Sequence, residues 1–195
     1  MQNKLKQLTP NSWIINYWKE AIINLKTKDI NINIADFDYT IFSRDEQLEK
    51  EKYLANNRGD LWPQSILDNG WINAFLKKYY NNRRFPTNIL NKLSKENDLI
   101  LTAWIHEFQV AKLIACWLDT YNYIITPSWE DKVIALVRYI LYTLKFIPTQ
   151  ITVYEDRPEY FVEYRDLLED ILWCKIEIMY VEMDGNDGYK KIVKI

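Results

Sequence analysis

The sequence predicts an α/β fold built on a doubly wound parallel sheet. Short apolar segments of strand character alternate with amphipathic helical segments from residue 30 to residue 172, a pattern typical of a parallel sheet with helices on both faces. Several of the predicted strands end in acidic or hydroxyl residues. The 195-residue chain suits a single domain, 1–195, that is large enough to bury a core.

The elements follow in order along the chain. Apolar residues at helical spacing predict a first helix over 12–27, with Ser12 as its candidate N-cap. Alternating isoleucine and asparagine residues then predict a strand from Ile30 to Ala35. The same reasoning predicts three further strands, at 98–102, 121–126 and 151–154. The helices that separate or follow them are predicted at 105–118, 128–145 and 158–171.

Two segments depart from this alternation. Residues 43–97 show no strand pattern and predict a mainly helical insertion that covers part of the site, with helices near 66–80 and 87–95. At the end of the chain, Lys175 to Met183 and Tyr189 to Val193 predict two strands of a C-terminal β-hairpin. Their connection, Gly185-Asn186-Asp187-Gly188, is typical of a hairpin turn.

Composition excludes some classes of function. A net charge of −2 and a pI of about 5.6 argue against a generally basic nucleic-acid-binding surface. No apolar run approaches the roughly 18 residues of a membrane-spanning helix, so no membrane association is expected. Cys116 and Cys174 lie in apolar runs and are predicted to be buried free thiols, which fits a cytoplasmic protein. His106 is the only histidine, too few for a zinc site.

Acidic residues mark the predicted site. In an open parallel sheet, ligands bind beyond the carboxyl ends of the strands. Asp36 and Asp38 follow the first predicted strand, Thr102 ends the second, and Glu155-Asp156 ends the fourth. Four converging carboxylates repel one another unless a cation lies between them. Oxygen ligands favour a hard cation such as Mg²⁺, and such a site suits phosphoryl transfer.

These residues resemble the motifs of the haloacid-dehalogenase (HAD)-like superfamily. Residues 34–40, Ile-Ala-Asp-Phe-Asp-Tyr-Thr, resemble its first motif, and the predicted strand that ends in Thr102 resembles its second motif. Lys132 resembles the third-motif lysine, with Lys145 as the rival, and Glu155-Asp156 resembles the fourth motif. Residues 58–63 and 69–71 are further similar to the HAD family labelled Swiss-Army-knife RNA-repair-like.

The resemblance implies a role for each residue. Asp36 would be the nucleophile and a metal ligand, and Asp38 the general acid/base with its backbone carbonyl on the metal. Thr102 would bind the phosphoryl oxygens and Lys132 would offset their charge. Glu155-Asp156 would hold Mg²⁺. The implied activity is that of a Mg²⁺-dependent phosphatase, a hydrolase that forms an aspartyl-phosphate. Its partners would be phosphorylated small molecules, nucleotides or nucleic-acid ends.

Two departures leave a second function open. Relatives often have Gly-Arg after the second-motif Thr, where this chain has Ala103-Trp104, and they tend to have Leu-Lys-Pro at residues 125–127, which are Ile-Thr-Pro here. Both changes remove positive charge near the expected phosphate. The alternative is a non-catalytic module that binds a phosphate ligand or nucleic acid on the same scaffold. The basic segment 77–84 suits nucleic acid, although a positively charged helix end is the simpler interpretation.

Overall fold

A computed structural model describes residues 12–43, 63–80, 85, 87–183 and 190–195. The described residues form a six-stranded sheet in the order β3-β2-β1-β4-β5-β6. All neighbouring pairs from β3 to β5 are parallel, and β6 is antiparallel to β5. The predicted α/β class with a mostly parallel sheet is therefore confirmed. The strands are β1 (Lys26–Ala35), β2 (Leu99–Ala103), β3 (Asn122–Thr126), β4 (Phe146–Glu155), β5 (Lys175–Met183) and β6 (Lys190–Lys194).

Helices connect the parallel strands. Those described are α1 (Trp13–Ile22), α2 (Pro63–Asp68), α3 (Ile72–Tyr79), α4 (His106–Ala115), α5 (Asp131–Arg138) and α6 (Glu159–Leu172). A π-helical segment, Tyr139–Leu144, continues α5 and ends at Lys145, which has a left-handed backbone with φ 55°. Among the described helices, none combines the length and the apolar character needed to cross a membrane.

Two separate apolar cores lie on opposite faces of the sheet. Ile34 and Val153 belong to one core, whereas the next residues along their strands, Ala35 and Tyr154, belong to the other. This alternation follows because successive side chains of a strand point to opposite faces. The first core includes buried residues of α1, α5 and α6, and the second includes buried residues of α3 and α4. Helices therefore cover both faces.

The described part of the predicted insertion, 43–97, contains helices and no strand. The single helix expected near 66–80 is instead two helices, α2 and α3, separated by a turn at Gly70. Gly70 has φ +69°, a left-handed backbone that glycine adopts at little cost and that interrupts a helix. The short helix expected near 87–95 is one 3₁₀ turn, Leu90–Lys92. Residues 44–62, 81–84 and 86 lie outside the described residues.

The first and fourth strands are longer than predicted. β1 begins at Lys26, although the helix was expected to continue to residue 27, and β4 begins at Phe146 rather than at 151. These early segments pair with each other, Lys26 with Phe146 and Lys28 with Pro148, before a register shift that precedes Asn31. The start of β1 is polar and exposed, so it lacks the apolar alternation that identifies a strand in a sequence.

The strand order places a switch point beside β1. The chain runs from β1 outward through β2 to β3, then crosses to the other side of β1 to form β4. In open α/β sheets, the carboxyl ends of the strands at such a reversal border a crevice that binds ligands. Asp36 follows β1 and Glu155 ends β4 at this reversal. The topology therefore brings two of the predicted site residues to one edge.

Candidate functional site

Asp36 is fixed by the end of β1. Its backbone N–H donates to the carbonyl of Tyr154 at 3.0 Å, which continues the pairing of β1 with β4 by one residue. The chain then turns back on itself, because the backbone N–H of Ile41 donates to the carbonyls of Asp36 and Phe37 at 3.3 and 3.1 Å. The turn includes Tyr39, which has φ 61°. The Asp36 side chain is buried at the edge of the sheet.

Three carboxylates meet at this point. Asp36, Glu155 and Asp156 each offer an oxygen, and these oxygens all lie within 4.8 Å of one another. Asp36 and Glu155 are buried, and Asp156 is half-buried. Burial makes the repulsion among like charges costly unless cations balance them. The arrangement is thus a candidate cation site.

Lys132 supplies one of those positive charges. Its Nζ donates to Asp36 Oδ1 at 2.8 Å and to Glu155 Oε2 at 2.7 Å, and its side chain is buried. It reaches the acids from the first turn of α5. Lys145 lies exposed at the far end of the same helical segment. Of the two lysines weighed from the sequence, Lys132 is the one that contacts the acidic cluster.

Burial and the neighbouring charges shift the pKa values of Lys132 and Glu155. Burial opposes the charged form of Lys132, but Asp36 and Glu155 outweigh this effect and raise the pKa of Lys132 above its usual value. Burial, followed by the charge of Asp36, raises the pKa of Glu155 well above its usual value even though Lys132 opposes this. When all three carboxylates are ionised, as they are around a bound cation, they and the Lys132 ammonium leave two negative charges. An oxygen-only donor set with that charge fits a hard divalent cation.

Asp38 belongs to a second cluster of polar side chains. Tyr80 Oη donates to Asp38 Oδ1 at 3.2 Å, and Gln109 Nε2 donates to Asp38 Oδ2 at 3.2 Å. Lys112 Nζ forms an ion pair with the same Oδ2. Gln109 and Lys112 are both buried on α4. The Lys112 ammonium also lies 5.2–5.6 Å from the ring centroids of Phe37, Tyr80 and Phe108.

Gln109 links Asp38 to Thr102. Its Nε2 lies 3.3 Å from Thr102 Oγ1 and donates to the carbonyl of Ala103 at 2.7 Å. Thr102 is buried at the end of β2. Among the described residues, no hydrogen-bond partner reaches Gln109 Oε1 or the buried Oγ1 of Thr40. The predicted residues therefore form two groups. Asp36, Glu155 and Asp156 surround Lys132. Asp38 and Thr102 are bridged by Gln109.

Three residues of this site were not predicted. Gln109 and Lys112 lie three residues apart on α4, so they share one face of the helix. That face also holds the buried Phe108 and Leu113, and polar residues on an apolar face are the signal by which they could have been found. Tyr80 belongs to the insertion, and its hydrogen bond to Asp38 connects the insertion to the site. His106 is exposed at the start of α4.

Comparison of the chain with protein-family models, with curated proteins and with solved structures finds no match. Function is therefore inferred from the site residues and their geometry.

Proposed function

We propose that this protein is a Mg²⁺-dependent phosphomonoester phosphatase of the HAD-like type. One observation supports this most directly: Asp36, at the switch point of a parallel sheet, lies with Glu155 and Asp156 in one cluster that also contains a buried lysine. The cluster combines a candidate nucleophile, a lysine and carboxylates able to hold a divalent cation. The substrates we propose are phosphorylated small molecules, nucleotides or nucleic-acid ends.

Each residue has a role in the proposed reaction. Asp36 attacks phosphorus and forms an aspartyl-phosphate while the bond to the ester oxygen breaks. Asp38, in its protonated form, gives a proton to that leaving oxygen. Water then attacks the aspartyl-phosphate and passes a proton to Asp38, which releases inorganic phosphate and restores the Asp36 carboxylate. Lys132 and Thr102 contact the phosphoryl oxygens. Asp36 and Glu155-Asp156 would hold Mg²⁺, which would offset the charge of the transferring group.

One observation favours the alternative, a non-catalytic module that binds phosphorylated ligands. The Asp38 carboxylate accepts from Tyr80 and Gln109 and pairs with Lys112. These contacts favour the ionised form, which suits the proton acceptor of the second step but not the donor of the first. In the phosphatase, Asp38 has to leave Lys112 to become protonated. In the binding module it would remain paired.

Steady-state hydrolysis of a panel of phosphomonoesters, with Mg²⁺ or with a chelator, tests the proposal. We expect turnover only with the cation, and none in Asp36→Asn, because an amide is a poor nucleophile and a poor Mg²⁺ ligand. Asp38→Asn should bind substrate normally and lose roughly 10²–10⁴-fold in turnover, the usual worth of general acid–base catalysis. Asp119→Asn, at an exposed position, is the matched control.

The outcomes separate the two functions. Wild-type turnover in Asp36→Asn would show that the nucleophile is wrongly assigned. A wild-type protein that binds phosphorylated ligands by calorimetry but hydrolyses none of the panel would favour the binding module.

A further inference from the structure

Trp104 has a strained backbone at the edge of the site. Its φ is 129°, a value that tryptophan rarely adopts and that glycine would accept without cost. Its backbone N–H donates to the carbonyl of Thr126 at 2.9 Å, and its side chain is 37% exposed. Such strain persists where surrounding structure imposes it, and it concentrates at functional sites. The position therefore holds an exposed indole at a conformational cost.

Two further side chains extend this aromatic surface. The rings of Trp104 and Trp129 lie with centroids 5.7 Å apart at 60°. The Arg157 guanidinium lies 4.8 Å from the Trp129 ring centroid. Trp104 follows β2, Trp129 follows β3 and Arg157 follows β4. All three thus lie at the carboxyl edge of the sheet, where the acids also lie.

A small cleft opens beside these rings. It has a volume of about 100 Å³ and is lined by Ala103, Trp104, Pro127, Ser128 and Trp129. Ala103 follows Thr102 directly, and Arg157 follows Asp156 directly. The cleft therefore adjoins the site through Ala103, and Arg157 connects its Trp129 wall to Asp156. Its lining is mostly aromatic and apolar, and the Arg157 guanidinium lies over the Trp129 ring.

We propose that this cleft binds the base of a nucleoside monophosphate whose phosphate lies at Asp36. Indole faces stack on planar heteroaromatic rings, and each such contact contributes roughly 1–3 kcal/mol. The Arg157 guanidinium lies over the Trp129 ring, and this cation–π contact holds that ring in place beside the cleft. A sugar phosphate without a base has no planar heteroaromatic ring to stack on these indoles. This inference depends on the proposed phosphatase function and specifies its substrate class.

The occupant is a single nucleotide rather than a nucleic-acid strand. The cleft is small, and strand binding uses an extended positive groove with several stacking platforms. The chain carries a net charge of −2, which does not favour a polyanion. The cleft and its two indoles suit one base, next to one phosphate site.

Kinetics on paired substrates test the inference. We would measure kcat/KM for nucleoside 5′-monophosphates and for ribose 5-phosphate, which has the same ester but no base. Trp104→Ala should lower kcat/KM for the nucleotides by about 5- to 150-fold, the range that the stacking contribution implies, and leave ribose 5-phosphate unchanged. Trp104→Gly should do the same while relieving the strained φ, so that a loss of fold in the alanine variant is recognised.

Trp173→Ala is the matched control. Trp173 is 57% exposed and also has a positive φ of 51°, but it lies just before β5, at the opposite end of the strands. Trp173→Ala should change kcat/KM neither for the nucleotides nor for ribose 5-phosphate. Equilibrium binding of a nucleoside monophosphate to Asp36→Asn protein gives a readout that needs no turnover, and adding Trp104→Gly should weaken that binding by a similar factor.

Each result bears on one proposal. The proposal that the cleft binds a base would be wrong if kcat/KM were equal for nucleotide and ribose 5-phosphate, or if the Trp104 variants lost both activities equally. Either result would leave the proposed phosphatase activity in place. An oligonucleotide with a terminal phosphate that is hydrolysed with higher kcat/KM than the mononucleotide would overturn the choice of occupant. If no phosphomonoester is hydrolysed, the phosphatase fails, and nucleotide binding that Trp104→Gly weakens would still support the cleft. If the protein binds no nucleoside monophosphate, the proposal that the cleft binds a base is wrong.

Discussion

Replacing Lys112 with methionine removes the buried cation that faces Asp38. Methionine keeps the length of the side chain among the surrounding rings but carries no charge. The Asp38 carboxylate then retains hydrogen bonds from Tyr80 and Gln109 and loses its ion pair with Lys112. Breaking a buried pair on one side costs about 3–5 kcal/mol. The Lys112 side chain is 3% exposed and that of Asp38 is 20% exposed, so we expect about 3 kcal/mol, the lower end of that range.

Thermal denaturation measures this loss. For a chain of this size, about 3 kcal/mol corresponds to a fall in Tm of roughly 6–12 °C. Lys77→Met, which removes a charge from an exposed position on α3, is the control and should stay within about 0.5 kcal/mol of wild type.

A double variant distinguishes a lost ion pair from lost packing. In Asp38→Asn the charge that pairs with Lys112 is already absent, so adding Lys112→Met breaks no further ion pair between these two residues. The double variant should therefore be more stable than the sum of the single losses, by about 1–3 kcal/mol. Strictly additive losses, or a Lys112→Met protein with the stability of wild type, would refute the argument that this pair is coupled.

Two further predictions concern residues away from the site. Cys116 and Cys174 are buried free thiols, and burial raises the pKa of Cys174 to about 12. A thiol reagent at pH 8 should therefore label both thiols in denaturant and neither in the folded protein, and rapid labelling of folded Cys174 would contradict this. Hydrogen bonds from Lys175 and Lys194 lower the pKa of Glu177 to about 2. The stability that this carboxylate contributes is thus present above its ordinary pKa and is lost as the pH falls toward 2. Glu177→Gln should cost less than about 1 kcal/mol at pH 7, as is usual for surface pairs, and the difference in urea midpoint should shrink at pH 3; a constant difference would count against the ion pairs.

The accuracy of the predicted strands differed from one segment to the next. β2 and β3 were predicted to within one residue, at 98–102 and 121–126 against Leu99–Ala103 and Asn122–Thr126. The buried β2 has apolar residues between polar boundaries. The first residues of β1 are Lys-Thr-Lys-Asp, and only their pairing with the start of β4 makes them a strand. That pairing depends on residues more than 100 positions apart, which no local pattern records.

The site was predictable where residues end strands. Asp36, Thr102 and Glu155-Asp156 each mark the carboxyl end of a strand, and topology alone gathers such positions at one edge. Gln109, Lys112 and Tyr80 lie on helices or in the insertion, where position relative to the sheet depends on tertiary packing. Their roles could not be assigned before α4 was seen to face Asp38.

The placement of positive charge explains how Trp104 fits beside an acidic site. Where the resembled family often has an arginine, this chain has Trp104, so the end of β2 contributes no cation there. Lys112 instead brings a buried cation to Asp38 from α4, while Lys132 balances Asp36 from α5. Each of the two inner aspartates thus has its own lysine, supplied by a helix rather than by the strand end. Because neither lysine belongs to the loop after β2, an aromatic ring at position 104 leaves both ion pairs intact.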